Sequence, residues 1–449
     1  MYKSYSMELA GRTLTVDIGR VCAQANGAAL MHYGETTVLS SCTASEKPRD
    51  GIDFFPLSVE YEEKMYAVGK FPGGFKKREA RPADSAILTD RVIDRPMRPL
   101  FPKDYRNDVL LDNLVLSVDQ DCSPELLAML GSSLAACISD VPFDGPCAST
   151  QVGMINGEFI MNPGNAEKTA SDLLLTVAST RDKVIMIEAG ANELSDQEMI
   201  EAIYKAHDVN QTIIGFFDSI IAECGKKKHE YVSCSIPETL FERIREIVPE
   251  KEMEKAVFAD DKKERDENLS VLSQKLEEAF SEDEEALSLL PEAIYQYEKK
   301  TVRRMILKDH KRPDGRRIDE IRPLEAEVDL IPRVHGSAMF KRGQTQILNI
   351  TTLAPLSEVQ KVEGLNEYET EKRYLHQYNF PGYSVGEARA SRGPGRREIG
   401  HGALAERALL PVLPSVEDFP YAIRSVSETM ESNGSTSMAS ACASCMSLM

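Results

Sequence analysis

The sequence predicts a mixed α/β (α+β) protein in which a two-layer unit occurs twice, with an all-helical domain between the copies. Three observations support this fold class: the chain matches itself at a fixed separation, strand-like apolar runs fill the first copy, and a helical period replaces them between the copies. A length of 449 residues is sufficient for about three domains. We therefore expect domains at residues 1–230, 236–310 and 311–449.

The repeat is visible when the chain is compared with itself. Residues 26–45 align without a gap on residues 335–354, and the identical positions lie 309 residues apart. The same separation pairs Phe71-Pro72-Gly73 with Phe380-Pro381-Gly382, and LTDRVI (88–93) resembles LAERAL (404–409). Three matches in the same order predict a duplicated fold.

The first copy reads as strands followed by a helix. TTVLSSCTA after Gly34, and later SDLLLTVAST and DKVIMIEAG, have the β-branched and apolar content of buried strands. SDQEMIEAIYKAH then begins a helix, because Ser195 and Glu198 have the spacing of a capping box. Such a mixture is typical of a two-layer α/β unit.

Between the copies, apolar residues recur every three or four positions and predict three helices. The polar stretch DDKKERDEN (260–268) is expected to be a loop or a solvated helix face, and Pro249 is expected to close the first helix. We interpret this domain as a spacer or lid. The apolar positions are Leu240, Phe241, Ile244, Ile247 and Val248, then Leu269, Leu272, Leu276, Ala279 and Phe280, then Ile294, Val302, Met305 and Ile306.

Composition indicates a cytoplasmic protein with no membrane partner. The apolar runs are far shorter than the ~20 residues of a membrane-spanning helix, and the N-terminus has no apolar signal region. The nine cysteines are scattered, which predicts reduced thiols. Cys442 and Cys445 form a CxxC without a second Cys or His pair nearby, so two small residues of one helix are the favoured interpretation.

A formal net charge of −19 argues against a polyanionic partner, but binding depends on where the positive charges lie. Basic residues cluster at 75–82, 91–98 and 387–398, whereas the acidic excess lies above all in residues 238–298. These three basic clusters are the candidate binding regions.

The segment ESNGSTSMAS (431–440) is one candidate site. Asn433-Gly434 predicts a turn, and Ser435, Thr436 and Ser437 are residue types favoured at the start of a helix. The free N–H groups of a helix N-terminus together with three hydroxyls would suit a phosphate. The alternative is an ordinary serine-rich cap on a packed helix.

The segment SRGPGRREIGHG (391–402) is a second candidate. It places Arg396 and Arg397 in a Gly/Pro loop before a helix, with His401 following. Guanidinium groups bind phosphate oxygens through paired donors, and a histidine could donate to phosphate or act as a general acid. The alternative is a solvated basic loop with a capping histidine.

The segments FPGGFKKREARP and RVIDRPMR form a third candidate. An exposed aromatic ring and several cations suit single-stranded nucleic acid, since the ring can stack on a base while the cations follow the backbone. Pro96 makes a helix doubtful after Asp94, and an ion-pair network with Asp90 and Asp94 is the alternative. The predicted RNA-binding residues are Phe75, Lys76, Lys77, Arg78, Arg91, Arg95 and Arg98.

Other motifs are missing from the sequence. It contains no Walker loop, GxGxxG or HExxH pattern, and the glutamates near the basic segments do not form a metal-ligand pattern. We therefore place no metal ligand on this chain.

With these segments in order, the sequence resembles the bacterial polynucleotide phosphorylases (polyribonucleotide nucleotidyltransferases) over essentially all 449 residues. The resemblance rests on specific motifs: GKFPGGFKKREARP, LTDRVIDRPMRPLFP, IEAGANELSDQEMIEAI, KRPDGRRIDEIRP, QYNFPGYSVGEARASRGPGRREIGHGALAERAL and SETMESNGSTSMAS.

The resemblance implies two RNase PH-like units (ribosomal protein S5 domain 2-like) that flank an all-helical domain, followed by KH and S1 domains. It also implies a homotrimeric ring in which inorganic phosphate attacks single-stranded RNA 3′ ends and releases nucleoside diphosphates. The reaction is reversible, requires Mg²⁺ and serves mRNA degradation, with possible RNA-degradosome partners.

By resemblance, each candidate residue receives a role. Arg396, Arg397 and His401 match the catalytic basic segment, and Ser435, Thr436 and Ser437 match the phosphate-binding hydroxyls. Arg91 and Arg95 match arginines near that site, and residues 75–78 match the loop that constricts the RNA channel. Lys76 replaces an aromatic residue of some relatives, which removes one stacking ring.

The family's metal-binding aspartates, its catalytic lysine and its KH and S1 domains would lie beyond residue 449. We therefore expect a truncated second unit, Mg²⁺ ligands outside this chain, and little or no activity of this chain alone. The alternative function is a non-catalytic RNA-binding or ring-forming scaffold of the same fold.

Overall fold

The computed structural model describes residues 2–79, 81–365, 370–390 and 393–449. Ala80 of the first basic cluster, and Ser391 and Arg392 of the third, lie outside these ranges. The first unit contains a six-stranded sheet in the order β1-β2-β3-β4-β6-β5, in which only β5 and β6 pair in parallel. Its strands are β1 Lys3–Leu9, β2 Arg12–Ile18, β3 Gly27–Tyr33, β4 Thr36–Ala44, β5 Leu57–Glu62 and β6 Val109–Ser117.

Two helices form a second layer beside this sheet. α1 (Asp84–Met97) connects β5 to β6, and α2 (Pro124–Ile138) follows β6 and packs its buried face on β3 and β4. Side chains along β4 alternate between buried and less buried, as the period of a strand requires. α1 continues to Met97 with Pro96 inside it, so the doubt about a helix after Asp94 was wrong.

A second sheet follows in the first unit, in the order β10-β9-β7-β8. The predicted strands and the capping box at Ser195 and Glu198 are confirmed, and the helix that they begin is 29 residues long. The elements are β7 Ala148–Ile155, β8 Glu158–Met161, α3 Asn165–Ala170, β9 Leu173–Ser179, β10 Val184–Ala191 and α4 Asp196–Cys224.

The region between the units is helical, as predicted, and has its own apolar core. It has four helices among the described residues rather than three, because the short helix α6 buries only Met253, Ala256 and Val257 and was missed. The polar stretch 260–268 belongs mainly to a helix start that Asp261 caps. The helices are α5 Glu238–Ile247, α6 Glu250–Val257, α7 Lys262–Ala279 and α8 Glu284–Lys308.

The second unit contains a five-stranded sheet in the order β11-β12-β13-β17-β16, and β14 pairs with β15 beside it. β16 and β17 pair in parallel, and α9 connects them in the way that α1 connects β5 and β6. The elements are β11 Leu324–Val328, β12 Gly336–Arg342, β13 Thr345–Ala354, β14 Gln360–Val362, β15 Thr370–Lys372, β16 Tyr374–Asn379, α9 Arg396–Leu409, β17 Ala422–Glu431 and α10 Thr436–Leu448.

The duplication is real, but two of its three predicted matches are misaligned. β12 and β13 begin 309 residues after β3 and β4, as predicted. Phe71-Pro72-Gly73, however, follows the 3-10 turn Met65–Val68, whereas Phe380-Pro381-Gly382 leads into the corresponding turn, Gly382–Val385. The two segments are therefore not equivalent.

The match between LTDRVI and LAERAL is displaced by one helical turn. α1 and α9 both have 14 residues and begin at residues 84 and 396, a separation of 312. At this separation Arg95 corresponds to Arg407. Insertions of different length before each element change the separation along the chain, so one fixed offset cannot align both copies.

The helices and the cysteines bear on the environment in which the chain is expected to fold. None of the described helices combines the length and apolar composition that crossing a membrane requires. All nine cysteines are free thiols, of which Cys22, Cys442 and Cys445 are exposed rather than in the core.

Candidate active site

The segment with Arg396 and Arg397 begins a helix instead of forming a loop. Gly395 is the N-cap of α9, and its N–H donates to the carboxylate of Glu398 at 3.1 Å. This contact satisfies one free N–H group of the helix N-terminus and allows the helix to start at Arg396. The two arginines therefore leave the first turn of a helix in different directions.

Arg396 points to the first unit. Its guanidinium donates to the carbonyl oxygen of Val59 at 2.7 Å and pairs with Glu60 at 2.8 Å and with Asp90 at 3.3 Å. Burial raises the pKa of Asp90 to about 7, although the positive charge of Arg396 opposes that shift. Arg396 thus connects the two units and neutralises acidic groups there.

Arg397 has no carboxylate partner among the described residues. Its guanidinium lies over the ring of Phe380, 4.2 Å from the ring centroid, and the side chain is exposed. An aromatic face holds a guanidinium without cancelling its charge or using its in-plane N–H donors. Arg397 is therefore available to bind an anion.

His401 lies one helical turn further along α9, and its ring is 5.0 Å from the ring of Tyr378. Its Nδ1 is buried and has no hydrogen-bond partner among the described residues. Burial, and then the positive charges of Arg397 and Arg91, lower the pKa of His401. The imidazole is consequently neutral near pH 7 and can donate through one N–H.

Arg91 reaches this region from α1 of the first unit. A Cβ built on Gly400 would lie 2.5 Å from Nε of Arg91, so Gly400 leaves the space that the guanidinium needs. The glycine before His401 therefore has a steric role, and Arg91 is brought to the site as the sequence predicts.

The three predicted phosphate-binding hydroxyls lie at the start of α10 but differ in burial and partners. Thr436 is buried and accepts a hydrogen bond of 2.6 Å from the hydroxyl of Tyr378, the residue that also contacts His401. Ser435 is the N-cap with a left-handed φ of 51°, is exposed and makes no capping hydrogen bond. Ser437 is only partly exposed in the first turn. The three hydroxyls thus do not share one environment.

Arg95 and Arg98 are held away from this cluster by ion pairs in the first unit. Arg95 pairs with Glu188 at 2.9 Å, and Arg98 pairs with Asp94 at 2.8 Å. Arg98 also donates to the carbonyl oxygens of Phe55 and Leu57. The ion-pair alternative therefore describes Arg98 and Asp94 correctly, while Asp90 pairs with Arg396.

The loop with Phe75 projects into solvent. Phe75 is fully exposed, Lys76, Lys77 and Arg78 are also exposed, and none of these cations has an ion pair with a described residue. The base of the loop packs against the second unit, because a Cβ on Gly73 would overlap the carboxylate of Glu363. A ring and three cations are thus presented together.

Two aromatic residues that organise the site were missed. Tyr378 connects His401 to Thr436, and Phe380 holds Arg397 in place. Both lie at or just after the end of β16, where Tyr374, His376 and Tyr378 alternate on one face. The aromatic alternation in YLHQYNF could have predicted this strand and its aromatic face.

A cleft of about 900 Å³ is lined by Phe380, by Arg389 and by Gly395 and Glu398 at the N-terminus of α9. Across it, the amide of Asn379 donates to Glu428 at 2.7 Å. Among the described residues, no three His, Cys, Asp or Glu side chains are placed to hold a metal ion. The described donors therefore do not fit Mg²⁺, and we derive no step through it.

This fold and this cluster define a class of protein. The model of the 3′ exoribonuclease family, domain 1, matches residues 10–142 and again residues 320–449, which together are more than half of the chain, and domain 2 of that family matches residues 145–209. The chain therefore belongs to the 3′ exoribonuclease family, and the predicted RNase PH-like fold is confirmed.

Particular relatives are similar over the whole chain. The polyribonucleotide nucleotidyltransferase of Lachnoclostridium phytofermentans is 70% identical over 450 residues, and that of Ruminiclostridium cellulolyticum is 55% identical. Each alignment covers 100% of this chain and 64% of the relative, so the chain spans about two thirds of their length. The predicted resemblance to polyribonucleotide nucleotidyltransferases is thus confirmed.

Two further similarities concern parts of the chain. Residues 239–317, where we expected a spacer or lid, match a model described as the RNA binding domain of polyribonucleotide nucleotidyltransferase. The crystal structure of rice Rrp46 covers 46% of this chain with a TM-score of 0.40 and 13% identity, which is too low to define the fold. The domain boundaries at 230, 236 and 310 stay predictions.

Proposed function

We propose that the protein is a phosphate-dependent 3′-to-5′ exoribonuclease that degrades RNA to nucleoside diphosphates and can run in reverse as a polymerase. The observation that carries this proposal is that Arg397, His401 and Thr436 lie beside Phe380 and Tyr378 at two helix N-termini, with Arg91 next to Gly400. A cationic cluster with hydroxyl and N–H donors suits phosphate and a phosphodiester.

The first unit has different residues at the positions equivalent to the candidate site, which favours one site per chain, in the second unit. With α1 and α9 aligned from their first residues, Ser85 corresponds to Arg397 and Thr89 to His401. With α2 and α10 aligned in the same way, Pro124 corresponds to Thr436. The first unit therefore lacks the arginine, the imidazole and the buried hydroxyl in these positions.

In the proposed reaction, an oxygen of inorganic phosphate forms a bond to the 3′-terminal phosphorus while the bond from that phosphorus to the preceding 3′ oxygen breaks. The leaving oxygen takes a proton, and the product is a nucleoside diphosphate. Arg397 and Arg91 would stabilise the charge on the transferred phosphoryl group. Because its pKa is lowered, His401 would donate a hydrogen bond to phosphate rather than act as a protonated acid.

The exposed loop with residues 75–78 would guide the RNA strand, with Phe75 stacking on a base and the three cations following the phosphates. Mg²⁺ dependence, a homotrimeric ring, a role in mRNA degradation, RNA-degradosome partners and a cytoplasmic location are further proposals, supported by the resemblance to the relatives. Low activity of this chain alone is proposed on the same basis.

The test is an incubation of the full-length protein with a 3′-extended RNA, Mg²⁺ and inorganic phosphate, followed by chromatography of the products. We expect nucleoside diphosphates that depend on phosphate, and their release should fall at least about a hundredfold in Arg397→Ala. Release of nucleoside monophosphates without phosphate would contradict phosphorolysis.

The second candidate is a non-catalytic RNA-binding scaffold. It is favoured by the ion pairs of Arg396, Arg95 and Arg98, which engage these cations with carboxylates of the chain itself instead of leaving them to bind substrate. RNA binding without turnover in the full-length protein, unchanged by Arg397→Ala, would support the scaffold over the enzyme.

A further inference from the structure

A second cation-lined cavity borders the start of α10. Its volume is about 360 Å³, and its walls come from residues 312–322 before β11, from Arg342 at the end of β12, and from the turn Asn433–Ser435. None of the residues grouped around Tyr378, such as Arg397 and His401, lines it. The cavity is therefore distinct from the candidate active site, although Ser435 at its edge is next to Thr436.

Four arginines line this cavity, and backbone carbonyl oxygens orient them. A carbonyl oxygen accepts an N–H and fixes the direction of the side chain, but it does not cancel the charge of the guanidinium. Arg312 and Arg316 donate to the backbone carbonyl oxygen of Glu320 at 3.1 and 3.0 Å. Arg322 donates to the carbonyl oxygen of Asn433 at 3.1 Å, and Arg342 to that of Gly434 at 3.0 Å.

Few carboxylates balance these charges. Asp314 is buried and is shared between Arg316, at 2.7 Å, and Arg322, at 3.3 Å. Burial, and then the like charges of Arg316 and Arg342, lower the pKa of Arg322. The guanidinium groups thus repel one another in the absence of an anion.

The two other carboxylates at the cavity are engaged elsewhere. Asp319 pairs with the exposed Arg317 at 3.0 Å, and the carboxylate of Glu320 accepts the backbone N–H of Arg317 at 3.1 Å. The residues that line the cavity include four guanidinium groups and two carboxylates, those of Asp319 and Glu320, while Asp314 lines the neighbouring cleft. This leaves an excess of two positive charges, which matches a phosphate dianion.

Unused donors also point to an anion. Nε of Arg342 is buried and has no hydrogen-bond partner among the described residues, and leaving such a donor unpaired is unfavourable. The hydroxyl of Ser435 lines the cavity and is not used as a helix cap. An anion in the cavity would accept from the guanidinium groups and from the hydroxyl of Ser435 that line it.

We propose that this cavity binds a phosphate group carrying two negative charges, either as inorganic phosphate or as the terminal phosphate of a nucleotide. Guanidinium groups favour this ligand because their planar N–H donors match phosphate oxygens in pairs. A neighbouring cleft shares Arg316, Arg322 and Asn433, so a nucleoside attached to the phosphate has room beside it. The binding does not depend on phosphorolysis.

Residue-resolved protection tests the site in the wild-type protein. Arginines are modified with phenylglyoxal in the presence of inorganic phosphate, ADP or adenosine, and the modified peptides are measured by mass spectrometry. We expect phosphate and ADP, but not adenosine, to protect Arg322 and Arg342. Arg424, which is exposed and bonded to Gln377, is the internal control and should react equally in all samples.

Calorimetric titration with ADP and with inorganic phosphate gives the affinity and separates the two sources of phosphate. Arg342→Gln should weaken binding by at least about tenfold, which corresponds to 1.4 kcal/mol, whereas Arg424→Gln should leave it unchanged. Thermal unfolding and circular dichroism show whether Arg342→Gln is folded, and the protection experiment remains informative if it is not.

Two results would overturn the proposal. The first is protection confined to Arg397 with unchanged affinity in Arg342→Gln, which would place all phosphate at the candidate active site. The second is that neither phosphate nor ADP binds or protects. Because no measurement requires turnover, a failure of the proposed exoribonuclease activity leaves this site standing, and the reverse is also true.

Discussion

Arg396 and Arg397 are neighbours in the sequence but have different partners. Arg396 pairs with Asp90 and Glu60 of the first unit, whereas Arg397 lies over Phe380 and pairs with no carboxylate of the residues that the structure describes. We expect Arg397→Gln to reduce phosphate-dependent release about a hundredfold without changing the midpoint of thermal unfolding. Arg396→Gln should instead lower the free energy of unfolding by about 1–2 kcal/mol, since Asp90 loses its partner.

The two variants control for each other, because both remove one guanidinium from the same helical turn. Thermal unfolding and nucleoside diphosphate release are measured for both. An unchanged midpoint for Arg396→Gln would show that its ion pairs do not hold the two units together. Full activity of Arg397→Gln would remove the role that we propose for that residue.

His376 makes the stability of the second unit depend on pH. Its ring contacts the hydroxyls of Tyr374, Ser427 and Ser440 at 3.1–3.2 Å, and burial, then the charge of Lys372, lowers its pKa to about 4. The unfolded chain therefore binds a proton more readily than the folded one between about pH 6.5 and pH 4. Stability from His376 is fully present above pH 6.5 and is lost as the pH falls towards 4.

The expected loss is at most about 3 kcal/mol. Urea unfolding at a series of pH values measures it, and His376→Gln should lose less stability over the same range. Carboxylates that titrate there are common to both proteins, so the difference between the two profiles isolates the histidine. Parallel profiles would contradict the pH dependence assigned to His376.

Strands and helices were predictable where a segment has a sustained hydrophobic pattern, but the alignment of the two copies was not. The strands β4, β9 and β10 and the capped start of α4 were predicted correctly, because local residue preferences determine them. The alignment of α1 with α9 was wrong by one turn. A helix repeats its apolar face every turn, so a local match cannot distinguish two alignments that differ by one turn.

The glycines Gly27 and Gly336, identical in the two copies, mark a close approach between elements. A Cβ on Gly27 would overlap the carbonyl oxygen of Ala135 in α2, and one on Gly336 would overlap that of Ser447 in α10. Ala135 and Ser447 are the twelfth residues of their helices. Each glycine thus lets a strand and the end of a helix pack tightly in equivalent places.

We expect Gly336→Ala to lower the free energy of unfolding by about 1–3 kcal/mol, because backbone atoms must move to admit the methyl group. Gly215→Ala in α4 is the matched control, since its Cβ would have no atom within 4 Å and alanine favours a helix. Urea unfolding of both variants checks the prediction. Equal stability of the two variants would show that the strand and helix can separate at little cost.

Only some residues of the candidate site could be predicted from the sequence, because others are defined by contacts between distant segments. Residue types and spacing were enough to select Arg397, His401 and Thr436 as candidates. Their partner Tyr378 comes from a distant strand, and no local pattern indicates its contacts with His401 and Thr436. Likewise, no local pattern indicates that Arg396 pairs with Asp90, and Arg407 with Glu188, between the two units.

Both units also share one acidic group. Glu188 pairs with Arg95 of α1 at 2.9 Å and with Arg407 of α9 at 3.0 Å, and these arginines occupy equivalent positions in the two helices. The duplicated helices thus meet on a carboxylate from a strand that belongs to the first unit. This arrangement fixes α9, and with it Arg397 and His401, relative to Arg91.

The whole molecule has a net charge of −19, yet the proposed substrate is a polyanion. Screening limits the repulsion, since the Debye length is only about 8 Å at physiological ionic strength. Local cations on the exposed loop can therefore decide RNA binding.

If Lys76 and Lys77 each neutralise one RNA phosphate, the slope of log affinity against log salt should become shallower by about 1.4 when both are changed to glutamine. Fluorescence anisotropy of a labelled single-stranded RNA over a range of KCl concentrations measures this slope. The control changes Lys47 and Lys183 to glutamine, two exposed lysines far from the loop in sequence, and it makes the same change in net charge. Equal slopes for the two double variants would mean that total charge, rather than the loop, governs binding.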